Sequence, residues 1–177
     1  MVRATAKILS PAGLEPSSLA HVPPSPSHRC VNQIWHARRK CLLITHAGTL
    51  YSVFVPAVRA SQIRSLGPLL VSTIRASLRA EALATDTLGE LDPDAVTITT
   101  TADRRVLGAM NDHALLVRHV LADRGIRAET MDSDDVGAVH HALHRTINSA
   151  TKYTPPIEML ANPRSWLSTT RTDGPGR

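Results

Sequence analysis

Aromatic residues, cysteines and long apolar runs are all scarce in this chain, and each shortage argues against a class of protein. Of 177 residues, two are Trp, two Tyr and one Phe, which leaves few rings for the platforms on which single-stranded nucleic acids stack. The two cysteines, Cys30 and Cys41, exclude a disulfide scaffold and fit no zinc or redox spacing, so we expect free thiols in a reducing cytoplasm. No apolar run reaches the roughly 18 residues of a membrane-spanning helix.

Sequence motifs of catalysis are missing as well. The chain has no G-x-S-x-G nucleophile elbow, no glycine-rich phosphate loop and no G-x-G-x-x-G dinucleotide motif, and its nine glycines are scattered. The first ten residues carry Arg3 and Lys7 but no apolar segment of a secretory signal. We therefore expect a cytoplasmic protein with no cofactor and a non-catalytic role.

The residues that are present favour one domain with an uneven basic excess. Hydrophobic residues make up 42% and charged residues 20% of the chain, enough to bury one core. The net charge is +5, and arginine supplies 17 of the 20 basic residues, a bias that GC-rich coding sequences produce. Residues 1–58 carry six basic and one acidic residue, whereas residues 94–150 carry six and eight. We therefore do not expect nucleic acid as the partner. The alternative is a nucleic-acid partner, for which Arg64, Arg75 and Arg79 could form a phosphate-binding patch with Arg38–Lys40.

Proline content marks the parts of the chain. Residues 11–28 contain five of the twelve prolines, and because proline breaks helices and removes ladder donors, this segment is predicted to be an exposed loop. It lies within a single predicted domain, residues 1–162. Residues 163–177 have little to bury and are expected to form a flexible tail.

The hydrophobic pattern predicts an α+β fold in which an N-terminal antiparallel β-meander and one later strand pack against three or four helices. Alternation predicts strands at 31–36, 41–45 and 49–55, and a β-branched run predicts another at 96–100. Apolar residues three or four apart predict helices at 59–84, from about 104 to Gly125, at 133–149 and at 155–160. Gly67-Pro68 interrupts the first, which should begin at Pro68 or be kinked there.

The densest polar cluster lies where the later strand meets the second long helix. A helix N-terminus presents free N–H groups and a positive dipole end, which suits an anion. One interpretation is a small pocket in which Arg104 and Asn111 hold a carboxylate or phosphate, with Gly108 admitting another backbone. The alternative is a capped helix, with Thr101 or Asp103 as the cap. The residues predicted to bind the ligand are Thr101, Asp103, Arg104, Asn111 and Asp112.

Two histidines have the spacing of metal ligands. His140 and His144 are four residues apart, so both imidazoles share one helix face. A third ligand could come from His113, His119 or the acidic group at 132–135, but the H-E-x-x-H signature is absent. We therefore expect solvated helix histidines and no metal.

The stretch Asp103-Arg104-Arg105-Val106-Leu107-Gly108-Ala109-Met110-Asn111-Asp112 resembles an uncharacterised bacterial family, a domain of unknown function, whose pattern here is Asn-Arg-Ser-Val-Leu-Gly-Ser-Met-Asn-Asp. Arg3 to Leu9, Trp35 to Pro56 and Asn148 to Pro156 resemble other parts of that family, so the likeness spans about residues 2–161. Ala4 departs from the family's usual Cys. The resemblance implies a compact bacterial domain, sometimes attached to proteins of plasmid or transposon origin, and implies no activity.

These observations favour a small non-catalytic binding or regulatory module, with an anionic small molecule or a protein as partner and no membrane association. One alternative is a hydrolase or transferase that acts on an anionic substrate at the Thr101–Asp112 junction. A further alternative is a nucleic-acid-binding accessory protein of a mobile element.

Overall fold

A computed structural model describes residues 1–94, 96–100, 103–126 and 130–162 of the chain; the predicted tail at 163–177 and Thr101 lie outside them. The fold is α+β, with a five-stranded mixed sheet in the order β4-β3-β2-β1-β5. The predicted antiparallel meander is confirmed as β2–β3–β4. The strands are β1 (Val2–Ala4), β2 (Arg29–His36), β3 (Arg39–His46), β4 (Ser52–Val55) and β5 (Ile98–Thr100).

The position of β1 inside the sheet, between β2 and β5, was not predicted from the sequence. This three-residue strand is fully buried and pairs in parallel with both β2 and β5, Arg3 facing Cys30 on one side and Thr99 on the other. Three residues show no alternation that a pattern search could detect, and both partners are distant in sequence. The sheet is therefore mixed rather than a meander with one added strand.

Helices cover both faces of the sheet. The predicted first helix is divided by a break at Ser65 (φ −109°, ψ 56°), and its second part begins at Leu66, two residues before Pro68. The last long helix ends at Arg145, four residues earlier than predicted. The helices are α1 (Ala6–Leu9), α2 (Ala60–Arg64), α3 (Leu66–Ala80), α4 (Arg104–Asp123), α5 (Ser133–Arg145) and α6 (Pro156–Ala161).

Two hydrophobic cores lie on opposite faces of the sheet because side chains alternate along each strand. Val31, Leu42 and Ile44 belong to the core that contains residues of α1, α3 and α6. Cys30, Leu43 and Phe54 belong to the core that α4 and α5 cover. Both cysteines are free and buried, and burial raises the pKa of Cys30 to about 12. The thiols thus contribute to packing, and a thiol with so high a pKa is a poor nucleophile.

The buried Arg3 holds the proline-rich segment against the sheet. Its guanidinium donates to His28 Nδ1 (2.8 Å), to the Thr100 carbonyl (2.9 Å) and to the Val22 carbonyl. Thr99 Oγ1 also donates to the Ala20 carbonyl at 2.8 Å. Buried arginine is costly unless its donors are used, so these contacts anchor the end of a segment whose other residues are largely exposed.

Buried histidines join the second core to the meander. His113 of α4 places Nδ1 2.8 Å from Ser52 Oγ, which also lies 2.7 Å from Thr45 Oγ1. Burial lowers the pKa of His113 to about 4. On β3, burial and the nearby charges of Arg29 and Arg105 lower the pKa of His46 to about 3. Both rings are therefore neutral in the fold at neutral pH.

We expect the fold to lose stability steeply in mild acid. Below pH 6.5 the histidines of the unfolded chain bind protons, whereas the buried rings of the folded protein stay neutral down to about pH 4. The stability that is present above pH 6.5 is therefore lost as the pH falls. Each such histidine contributes a slope of about 1.4 kcal/mol per pH unit. Urea unfolding at pH 7, 6 and 5 should show His113→Leu reducing the slope by that amount; equal slopes in the wild type and in His113→Leu would contradict the assignment.

Candidate functional site

The predicted ligand-binding junction is a capped helix start. Asp103 Oδ1 accepts from the backbone N–H groups of Arg105 (3.0 Å) and Val106 (3.2 Å), which makes Asp103 the N-cap of α4. Its carboxylate thus occupies the positive helix end that an external anion would use. Arg105 donates to the Ala47 carbonyl and ties the helix start to the turn after β3.

The other predicted ligand residues lie on the outer face of α4. Arg104, Asn111 and Asp112 are exposed, and Asp112 Oδ2 accepts from Asn148 Nδ2 at 3.4 Å. A Cβ added to Gly108 would meet nothing within 4 Å, so the expectation that another backbone approaches this glycine is wrong. The structure brings these side chains to one open helix face, and their binding role stays a prediction.

The paired histidines lie along the edge strand β4. His140 Nε2 is 3.0 Å from both the amide nitrogen and the carbonyl oxygen of Phe54, and His144 Nε2 is 3.0 Å from the Ser52 carbonyl oxygen. Four residues of helix rise about 6 Å and two residues of strand about 6.7 Å, so the spacings match. His140 is partly buried and His144 fully buried, so the expectation of solvated histidines is wrong. Within the described part of the chain, no three His, Cys, Asp or Glu residues form a group that could hold a metal ion.

An ion-paired cluster at the end of α3 holds α5 in this position. Glu81 accepts from the Arg145 guanidinium at 2.9 and 2.7 Å, and its Oε1 lies 2.8 Å from His144 Nδ1. The Arg145 hydrogen bonds, with help from His144, lower the pKa of Glu81 to about 2. Tyr51 stacks on His144 with ring centroids 3.9 Å apart. Sequence reasoning missed Glu81, because more than 60 residues separate it from its partners.

An open cavity of about 310 Å³ lies on the other face of the sheet, beside α3. Leu70, Val71 and Ile74 of α3 form one apolar wall, and Leu91 and Val96 contribute another. The charged side chains at this cavity are those of Arg29, Glu90 and Asp92. We call this site the Arg29 cavity.

Arg29 is 8% exposed and brings a positive charge to this cavity. Its Nη1 donates to the Ser27 carbonyl at 3.0 Å and its Nη2 to the Leu88 carbonyl, whereas its buried Nε has no hydrogen-bond partner. Among the described residues, Arg29 forms no ion pair, and its β3 neighbour His46 is neutral. The guanidinium is therefore a buried cation with one unused donor, which is costly unless an anion joins it.

The far wall of the cavity is packed tightly against α3. Arg75 Nη2 donates to the Leu91 carbonyl at 2.9 Å. Two residues further on, Pro93 lies so close to Gly67 that a Cβ on Gly67 would be 2.1 Å from the Pro93 carbonyl oxygen. Only glycine permits this approach, so the α3 sequence itself shapes the cavity.

Sequence reasoning did not select Arg29, although a signal for it exists. Arg29 immediately precedes Cys30 and Val31, and strand β2 is buried along most of its length. A charged residue at the start of a buried strand is unusual and marks either a buried ion pair or a ligand contact. Within the described residues, the donors of Arg29 meet only carbonyl groups and no carboxylate.

Comparison with known proteins identifies a family without an assigned activity. None of the described helices is long and apolar enough to cross a membrane. No curated protein and no solved structure matches the chain. The family model for a domain of unknown function, DUF6933, matches residues 1–159, so the chain belongs to that family.

Proposed function

We propose that this domain is a non-catalytic module that binds a small monoanion with an apolar body in the Arg29 cavity. The observation that carries the proposal is that Arg29 lines this cavity, forms no ion pair among the described residues and has a buried Nε without a hydrogen-bond partner. A carboxylate accepts charge-assisted hydrogen bonds from a guanidinium, and such bonds are about twice as strong as neutral ones.

The size and lining of the cavity support a small ligand. A volume of about 310 Å³ lies at the lower end of the range for ligand sites, which are mostly apolar with a few placed polar groups. Three aliphatic side chains of α3 meet one guanidinium here, which suits a short hydrocarbon or aromatic body ending in one carboxylate. Glu90 and Asp92 are exposed residues of the same cavity and disfavour phosphate, which carries more negative charge.

The test is ligand binding measured by thermal shift and isothermal titration with hexanoate, benzoate and inorganic phosphate. We expect the two carboxylates to raise the melting temperature of the wild-type protein, and a ligand at 100 times its Kd adds about 2.7 kcal/mol of stability. Arg29→Met should abolish the shift, whereas Arg79→Met, an exposed change on α3, should leave it intact.

A second variant tests the site without removing Arg29, since Arg29→Met also removes the donors to the Ser27 and Leu88 carbonyls and could unfold the protein. Val71→Phe keeps Arg29 and reduces the volume of the cavity from the α3 wall, so it should weaken binding of benzoate in a folded protein. Carboxylate binding that survives both changes would refute the site, as would a wild-type protein that binds none of the three probes.

The outer face of α4 is a second candidate, for a protein partner. Arg104, Asn111 and Asp112 share this exposed surface with Leu115, which is 61% exposed. An open helix face with one exposed leucine suits a protein better than a small ligand. The enzyme alternative at the same residues predicts turnover of phosphate or carboxylate esters that Asp112→Asn removes.

A further inference from the structure

An exposed tryptophan stands near the tip of the β2–β3 hairpin. Trp35 is 51% exposed, and it pairs across the hairpin with Lys40, whose Nζ lies 5.9 Å from the centre of the indole ring. Arg38 is exposed in the turn next to this pair, whereas Arg39 pairs with His36 on the other face of the hairpin. The aromatic ring therefore lies beside Lys40 and close in sequence to the turn cation Arg38.

The hairpin lies within a long stretch of sequence that has no acidic residues. Residues 16–80 contain eight basic residues and no Asp or Glu. Within this stretch, Val58 N–H donates to the Lys40 carbonyl at 2.7 Å, which brings the backbone of the exposed Arg59 close to Lys40 near the tip of the hairpin. The positive charges of Arg38, Lys40 and Arg59 thus have no carboxylate from their own strands or from α2.

Among the described residues, the two carboxylates Asp123 and Asp135 of α4 and α5 have partners outside the hairpin. His36 Nε2 lies 3.4 Å from the Ile126 carbonyl oxygen. The segment after α4 therefore approaches the face of the hairpin that carries His36, which is opposite to the face that carries Trp35. Asp123 there lies 3.3 Å from His119, and Asp135 lies 3.8 Å from Arg124. Their charge is thus shared with partners outside the hairpin.

The turn itself presents Arg38 at a conformational cost. Ala37 and Arg38 both have positive φ, 44° and 63°, the pattern of a type I′ turn that normally carries Asn-Gly. A non-glycine residue in this region costs about 1 kcal/mol. The chain therefore keeps an arginine where glycine would be more stable, which is typical of functional positions.

We infer that Trp35 and its surrounding cations form a docking surface for single-stranded nucleic acid. A base stacks on the indole while backbone phosphates contact Arg38, Lys40 and Arg59, the combination that such proteins use without sequence preference. An acidic peptide would leave the indole unused. A membrane surface would need further exposed apolar side chains, and among the described residues the other large ones, such as Leu115 and Ile147, lie outside the hairpin.

This surface goes beyond the proposed small-ligand site and differs from the prediction that composition makes. Few aromatic residues in the whole chain argued against base stacking, but stacking needs only one ring if it is exposed and flanked by cations. Arg64 and Arg79 of the patch considered from the sequence are also exposed, on the helices that follow Arg59 in the chain.

The test is fluorescence anisotropy with a labelled 12-mer oligouridylate at several salt concentrations, using the whole chain. Three phosphate contacts predict that log K falls against log salt with a slope of about −2. Trp35→Ala should weaken binding about tenfold at an unchanged melting temperature, because base stacking contributes about 1–3 kcal/mol per base. Tyr153→Ala, which removes an aromatic ring that is 66% exposed elsewhere, should bind like the wild type.

Arg38→Gly separates binding from folding. Glycine suits the positive φ, so this variant should be at least as stable as the wild type while its salt slope is smaller by about 0.7. Full affinity in Trp35→Ala would overturn the inference. So would equal binding of a 12-bp duplex, or binding of a 12-residue polyglutamate or of phosphatidylserine vesicles without binding of the oligouridylate.

Discussion

Gly67→Ala is expected to lower the free energy of unfolding by about 3 kcal/mol and to disrupt the Arg29 cavity. Inside a helix this change normally stabilises by up to about 1 kcal/mol. Here the added methyl would lie 2.1 Å from the Pro93 carbonyl oxygen and 3.2 Å from Val96 Cγ2. Backbone cannot yield as a flexible side chain can, so overpacking outweighs helix propensity.

Urea unfolding of Gly67→Ala and Gly108→Ala measures this difference directly. Gly108 is exposed within α4 and its added Cβ meets nothing, so we expect Gly108→Ala to stabilise the protein by about 1 kcal/mol. Benzoate binding should weaken only in Gly67→Ala. If the two variants change stability by the same amount and in the same direction, Pro93 does not pack on Gly67 as described.

His144→Leu is expected to destabilise the fold by about 3 kcal/mol. The change removes the contacts of His144 with the Ser52 carbonyl and with Glu81, both within 3.0 Å, and the stacking on Tyr51. The carbonyl then lies buried without its imidazole partner, and each unsatisfied buried group costs about 1–3 kcal/mol. Leucine has a similar volume, so the loss reports hydrogen bonding more than cavity formation.

The matched control is His141→Leu on the same helix, where the histidine is exposed. We expect its unfolding free energy to stay within about 0.5 kcal/mol of the wild type. In His144→Leu, the hydrogen-exchange rate of the Phe54 backbone amide, which donates to His140, should also rise, because α5 then holds the edge strand less firmly. Equal stability of the two variants would exclude His144 as a structural link between α3, α5 and β4.

The candidate sites show where prediction from sequence succeeds and fails. Asp103 was a natural cap and caps α4, because capping depends on residues two and three positions ahead. The spacing of His140 and His144 places both rings on one helix face. Their contacts are with an edge strand more than 80 residues earlier, so the spacing does not reveal them. The glycine that admits another backbone is Gly67 rather than Gly108, because its neighbour Pro93 is 26 residues away.

The number of aromatic residues is likewise known from the sequence, whereas their exposure is known only from the structure. Composition counts five rings in the chain, but it cannot show that Tyr51 and Phe54 are buried while Trp35 stands exposed among cations. The count predicts no nucleic-acid partner and leaves out exposure, the property on which the proposed surface at Trp35 depends.

Local patterns in the chain are enough to predict the α+β class, the antiparallel meander and the long helices, and they include a run of 65 residues without an acidic group. Such features depend on periodicity, capping and charge among residues near each other in the chain. Tertiary contacts place β1 between β2 and β5, bury Arg29 with no ion pair among the described residues, and join Glu81 to His144. Burial and pairing are set by whichever distant segments pack together, and only the folded chain brings those segments into contact.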